Sequence, residues 1–95
     1  MICGTVRVIS GKLCQLIYEK NSQKCFITDR TGQIHIYNAI PTPPIKLKSI
    51  QTDSIGALRG LDFDSKTNNV FANCIDDGRI YGYNLGTSIK NDINP

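Results

Sequence analysis

QLIYEKNSQKCFITDRTGQIHIYN (residues 15–38) and GLDFDSKTNNVFANCIDDGRIYGYN (residues 60–84) are two renderings of one pattern. Leu16 aligns with Leu61, Tyr18 with Phe63 and Phe26 with Phe71, at an offset of 45 residues. After one inserted residue, Gly32, Ile34, Tyr37 and Asn38 align with Gly78, Ile80, Tyr83 and Asn84, at an offset of 46. Apolar residues alternate with polar ones over short runs in both copies, the two-residue period of half-buried strands, and no stretch has the three-and-four spacing of a helix. Strands are predicted at 13–18, 24–28, 33–37 and 45–50 in the first copy, and at 58–63, 69–74 and 79–83 in the second. Asn21-Ser22, Asp29 to Gly32, Asn68-Asn69 and Asp76-Asp77-Gly78 supply the turns between them, and Pro41, Pro43 and Pro44 mark a connecting loop.

A repeat of this period, built from short strands, is the sequence mark of β-propeller blades. The expected fold is all-β: a partial β-propeller of about two four-stranded antiparallel blades. CGTVRVI (3–9) reads as a leading strand, 13–50 as the first blade, and 58–90 as a second blade whose outer strand is short and lies within 87–90. Each blade has two apolar faces, and about four blades are the fewest that close a ring. Two blades leave an apolar face wet, a motive for association. Gly4 precedes Gly32 by 28 residues against 46 for the next interval, so an outer strand is missing between Ile9 and Leu13. That gap fits a deletion, a truncated product or an unusual joint.

Eleven basic and eight acidic residues give a net charge of +3, too small and too scattered for a nucleic-acid partner. Lys46 and Lys48 form a local basic pair, expected on the solvent side of a strand whose Ile45, Leu47 and Ile50 face inward. Cys3, Cys14, Cys25 and Cys74 lack zinc-knuckle spacing, and His35 has no local partner, so the cysteines read as small buried hydrophobes. The chain has no apolar run long enough to span a membrane, no secretory signal and no glycosylation sequon, which together predict a cytoplasmic protein without membrane insertion.

The third strand of each unit resembles that of WD-repeat proteins: a tight turn ending in Gly, then apolar-x-apolar-aromatic and an acidic or amide residue. It occurs as GQIHIYN (32–38) and DGRIYGYN (77–84), and GTVRVIS (4–10) resembles it with Ile9 in place of the aromatic. The family's first strand is seen as Leu13, Leu16, Tyr18 and again as Leu58, Leu61, Phe63. Neither unit has the name-giving tryptophan, whose dipeptide is replaced by Tyr37-Asn38 and Tyr83-Asn84. The Gly-His pair is absent, with Ser54 near the histidine's place, and only the second unit keeps the turn aspartate, as Asp77, where the first has Thr31. The resemblance therefore implies a blade without the family's Asp-His-Ser/Thr-Trp network. The 14–38 segment is also similar in rhythm to a blade of WD-repeat proteins that carry a FYVE finger, but the paired cysteines of that finger are missing and lipid binding does not carry over. A rival resemblance, to six-bladed gluconolactonase and NHL propellers, lies in GLDFDSKTNNVFA followed by DGRIYGYN.

No residue set points to catalysis. His35 alternates with Ile34 and Ile36 and is expected at a blade interface or in solvent. Asp62, Asp64, Asp76 and Asp77 form the acidic cluster, read as a polar strand face and a turn, although Asp62 and Asp64 point the same way and suit calcium chemistry. Tyr18, Tyr37 and Tyr83 hold blade-core positions and read as packing residues. The resemblance implies a structural blade motif at Gly32, Ile34, Tyr37, Asn38, Asp77, Gly78, Ile80, Tyr83 and Asn84, and a non-enzymatic scaffold that binds proteins without a cofactor or metal. Its contacts are expected on one rim, in loops containing Asn21, Ser22 and Gln23, Asp53 and Ser54, and Lys66, Thr67 and Asn68. Homo-oligomerisation is expected too, because exposed strand edges at 5–9 and 79–83 invite pairing. The alternatives are a fragment of a lactonase or NHL propeller, with a divalent cation on Asp62, Asp64 or Asn73, and a truncated paralogue without independent function.

Overall fold

The computed structural model describes residues 12–41 and 43–86, and within them the chain forms seven strands and no helix. β1 (Leu13–Glu19), β2 (Lys24–Asp29), β3 (Gln33–Asn38) and β4 (Ile45–Gln51) make a four-stranded antiparallel sheet in chain order. β5 (Leu58–Asp64), β6 (Asn69–Cys74) and β7 (Arg79–Asn84) make a second, three-stranded one. The all-β expectation holds and the strands fall where alternation placed them. The leading strand at 3–9 and the outer strand within 87–90 lie outside the described residues.

The sequence repeat recurs in the backbone. Both sheets carry a register shift at the start of their first strand pair, at Leu13/Gln15 and at Leu58/Gly60. In both, a carboxylate closes the turn that follows. Glu19 accepts from the Asn21 and Ser22 N–H groups at 3.2 and 2.7 Å, and Asp64 accepts from the Lys66 N–H at 3.0 Å and the Thr67 hydroxyl at 2.9 Å. Gln23 and Asn68 end those turns with φ of 57° and 63°, and their carbonyls accept from Ala39 and Leu85 N–H at 2.9 and 2.8 Å. The next turn takes Gly32 at φ 87° and Gly78 at φ 68°, the left-handed region that a Cβ disfavours. At Gly32 a Cβ would also sit 3.3 Å from Ser54 and Thr52.

The two sheets pack face to face. Ile17, Phe26, Ile34 and Ile36 of the first meet Leu61, Phe63, Val70, Ala72 and Tyr83 of the second, with Ile50, Leu58 and Cys74 in the same core. Phe26 and Phe63 stack across the seam, with ring centroids 4.5 Å apart and planes inclined by 27°. Beside them the buried Thr28 hydroxyl donates to the Leu58 carbonyl at 2.8 Å, joining β2 to β5. Transferred by the repeat, Ile17, Phe26, Ile34 and Ile36 become Asp62, Phe71, Ile80 and Gly82. These lie on the opposite face of the second sheet from the one that packs, so the sheets stack front to back, all facing one way.

This polarity corrects three expectations about the core. Leu13, Leu16 and Tyr18 were matched to Leu58, Leu61 and Phe63 as first-strand residues, with Tyr18 in a core position, yet all three are exposed, because β1 turns them away from the second sheet. Of the three tyrosines only Tyr37 and Tyr83 are buried. Ile80, placed in the blade motif beside Ile34, is 77% exposed, because its face of the second sheet meets nothing in the described structure. Of the apolar residues of β4 only Ile50 is buried; Ile45, opposite Asn38 at the strand's start, and Leu47 are exposed. A register shift pairs Ile36 with Lys48 but Tyr37 with Lys46, leaving Leu47 as an extra residue and bringing Lys46 to the far face of the sheet.

Truncating either partner of the aromatic stack tests the seam. Phe26→Ala is expected to lower unfolding stability in urea by about 3–5 kcal/mol. Phe63→Ala, less buried, costs less, and the double variant falls short of the sum by about 0.5–1.5 kcal/mol.

Candidate functional site

On the far face of the first sheet the hairpin of β2 and β3 brings Asp29 to His35. Residues 25, 27 and 29 share that face with 35 and 37, while 26, 28, 34 and 36 face the second sheet. His35 Nε2 lies 2.8 Å from Asp29 Oδ2, with both side chains buried. His35 Nδ1 lies 3.2 Å from Ser49 Oγ and 3.2 Å from Lys46 Nζ, both on β4. An ammonium has only hydrogens to give, so Nδ1 accepts and Nε2–H donates to Asp29. Asp29 Oδ1 accepts from the Thr31 N–H at 2.9 Å, the Thr31 hydroxyl at 2.7 Å and the Gln33 N–H at 3.0 Å. Burial by itself would raise the Asp29 carboxyl; the His35, Gln33 and Thr31 donors outweigh it and hold it below the ordinary range.

This cluster changes two expectations. His35 has a local partner after all, six residues earlier, which linear spacing hid and the strand parity of the hairpin reveals. The turn aspartate of the first unit is also present, at Asp29 and not at the Thr31 position. In the second sheet Asp77 does the same work, accepting from the Arg79 N–H at 2.9 Å and the Tyr81 hydroxyl at 2.5 Å, and the Tyr81 bond holds its carboxyl low. Each sheet therefore ties its second turn to a ring on its third strand, with Asp29–His35 in one and Asp77–Tyr81 in the other. The chain has no tryptophan for the Asp-His-Ser/Thr-Trp network, and the first sheet instead assembles a network of its own from Asp29, His35, Ser49 and Lys46. A hydroxyl, an imidazole and a carboxylate in a row are also the parts of an acyl-transfer relay. Here the ring is fully buried and shares Nδ1 with a lysine, so the row clamps β2, β3 and β4 together.

The motif residues at the ends of the third strands differ in use. Asn38 Oδ1 accepts from the Ile40 N–H at 3.2 Å. Asn84 Nδ2 donates to the Thr67 carbonyl at 2.9 Å and the Asn69 amide oxygen at 2.7 Å, tying β7 to the β5–β6 turn. The loops expected on one rim occupy two. Asn21, Ser22 and Gln23 share an end of the sheets with Lys66, Thr67 and Asn68, because both turns follow a first strand. Asp53 and Ser54 lie at the opposite end, because the link from β4 to β5 starts where β4 has run back to Gly32. There Thr52 donates its N–H and its hydroxyl to the Gly32 carbonyl at 3.0 and 2.7 Å, and the Ser54 hydroxyl donates to the Gly56 carbonyl at 2.7 Å.

Of the cation candidates, Asp64 is engaged in its turn, and Asn73 Oδ1 accepts from the Gly60 N–H at 2.6 Å. No group of three His, Cys, Asp or Glu side chains converges among the described residues. A cleft of about 350 Å³ opens between the sheets beside Lys24, Ile36, Leu47, Lys48, Asn68 and Leu85. A shallower hollow of about 290 Å³ lies on the outer face of the second sheet, between Gly60, Asp62, Phe71, Asn73 and Ile80. Gly82 makes room for the Phe71 ring there, since a Cβ would stand 3.1 Å from it. Sequence reasoning aligned Phe71 with Phe26 but missed its exposure, which follows only from the stacking polarity. No helix among the described residues is long and apolar enough to cross a membrane. No protein family, characterised protein or solved structure matches the chain.

The Asp29 network carries a pH signature. A carboxyl depressed in the folded state contributes stability that is fully present above its unfolded value, about 3.9, and is lost as pH falls through the folded value. Asp29→Asn is expected to lower stability at neutral pH by about 1–3 kcal/mol. The gap from the native chain should close as the pH is taken below that unfolded value, read from urea midpoints over a pH series.

Proposed function

We propose that this chain is a non-enzymatic interaction module made of WD-like propeller blades, working as a protein-binding scaffold. The observation that carries this reading is the front-to-back stacking of two repeat-related sheets, which leaves an aromatic face of the second uncovered. Arrays of this kind serve as platforms: the strands are held by packing and turn caps, and the loops at their ends are free to vary. The hydrogen-bonded polar groups fit the same reading, since the buried Asp29 and His35 and the half-buried Asp77 and Tyr81 are all spent on holding turns to strands. The rim formed by Asn21 to Gln23 and Lys66 to Asn68 is the contact surface for a protein partner, because its backbone is locked by Glu19 and Asp64 while Asn21 and Lys66 stay exposed. The cytoplasm is the proposed compartment, and neither nucleic acid nor a cofactor enters the reading.

The test is affinity capture followed by reconstitution with the purified partner. Asn21→Ala combined with Lys66→Glu is expected to weaken binding about tenfold or more, with an unchanged far-ultraviolet circular dichroism spectrum. A folded chain that retains no protein, or a partner indifferent to both substitutions, overturns the assignment of this rim.

A further inference from the structure

The bulge in β4 shapes the cleft of about 350 Å³ between the sheets. In an unbroken ladder Lys46 and Lys48 would share one face of the first sheet, because side chains two residues apart point the same way. The shift that leaves Leu47 as an extra residue splits them. Lys46 goes to His35 on the far face, while Lys48, opposite Ile36, stays on the face that meets the second sheet. Lys24 shares that face, two residues before Phe26 on β2. The facing wall is Leu85, and Asn68 fastens it: the Asn68 carbonyl accepts from the Leu85 N–H at 2.8 Å, and its Nδ2 donates to the Gly86 carbonyl at 2.7 Å. Leu47 and Leu85 thus line the cleft over the buried Ile36, with the half-buried Lys24 and Lys48 beside them and no carboxylate among the described lining residues. Leu47 is 49% exposed, so an incoming group has apolar surface to cover. Glu19, opposite Lys24 in the β1–β2 ladder, is taken up by the Asn21 and Ser22 N–H groups of its own turn.

We propose that this cleft takes a bulky aliphatic or aromatic side chain of an acidic peptide segment, whose neighbouring carboxylates pair with Lys24 and Lys48. The inference rests on reading the rim as a protein-contact surface and names the chemistry of the partner. Lys24 directly follows the Asn21 to Gln23 turn and Asn68 closes the Lys66 to Asn68 turn, so the cleft lies at that same end of the sheets. Charge complementarity selects the occupant: two ammonium groups flank an apolar lining, which favours an anchor with acidic neighbours and repels one with basic neighbours. The lysine stems extend the apolar lining while their heads stay hydrated, so a carboxylate meets them at little desolvation cost. The volume falls at the lower end of the range for ligand sites, roughly 300–1,000 Å³, which suits a single anchoring side chain. Because backbone hydrogen bonds and a bulge hold both walls, little of the site has to be ordered on binding.

The test is selection of a phage-displayed random peptide library against the immobilised chain, followed by fluorescence polarisation with the recovered peptide. Enriched peptides are expected to carry Leu, Ile, Phe or Met beside Asp or Glu. Lys24→Gln and Lys48→Gln should each weaken binding of the recovered peptide about threefold, and together about tenfold. Leu47→Ser, at an exposed position, should weaken it about fivefold. Raising the salt concentration should weaken the native complex and barely change that of the double lysine variant. Lys48→Glu should turn the selection towards basic residues beside the same kind of anchor. Lys46→Gln, turned to the other face, should bind as the native chain does, and circular dichroism should match the native spectrum throughout. A library that yields no peptide, enriched peptides without acidic residues, or binding indifferent to Lys24, Lys48 and Leu47 overturns the proposal. So does an equal loss with Lys46→Gln in a chain of native spectrum, or retention of decanoate with the same lysine dependence when no peptide is retained. If a captured protein still depends on Asn21 and Lys66 in any of these cases, the cleft assignment falls and the rim reading stands.

Discussion

Everything in this molecule depends on covering the face of a short antiparallel sheet. A sheet of four or fewer six- or seven-residue strands has too little interior of its own, and its apolar side chains are buried only when another sheet lies on them. The Phe26–Phe63 stack, with Ile17, Ile34 and Ile36 on one side and Leu61, Val70 and Tyr83 on the other, does that for one face of each sheet. The Thr28 to Leu58 hydrogen bond sets the lateral position, since a buried hydroxyl and carbonyl that failed to meet would each lose their partners from water. One seam joins the two sheets; of their other faces, that of the second is exposed at Phe71 and Ile80, while on that of the first Ile27, His35 and Tyr37 are buried.

The polar interior follows the same economy. Asp29 and Asp77 accept from N–H groups of a tight turn and fasten that turn to a ring on the third strand, so each hairpin is closed by a carboxylate. The first sheet extends this to its fourth strand through Ser49 and Lys46. Different side chains thus perform one mechanical task in the two units, which is why the repeat is degenerate in letters and regular in structure. What is repeated is the positioning of a turn, and a carboxylate with a ring donor achieves it with histidine or with tyrosine.

Much of the fold was legible from alternation and punctuation. Short runs such as Ile34-His35-Ile36-Tyr37 or Val70-Phe71-Ala72 form strands because every second side chain can be buried. Gly32, Gly78 and Asn68 form turns because they tolerate positive φ, and the equivalence of Gln23 with Asn68 follows from the repeat. The candidate site was less legible. The Asp29–His35 bond joins residues that are close only after the β2–β3 hairpin forms, and the reach of Lys46 to His35 depends on an extra residue in β4 that no local preference announces.

By itself, the sequence determined the strand set, the turns, the repeat and its offset, because each is encoded within a few residues through side-chain alternation and backbone freedom. Only the tertiary structure decided which face of each strand is inside. The repeat makes the two sheets chemically alike, yet stacking them front to back buries Phe26 and exposes Phe71, half-buries Phe63 within the seam and exposes Tyr18. Burial is a property of what lies on a face, and that is settled by the neighbouring sheet and not by the strand that carries the residue.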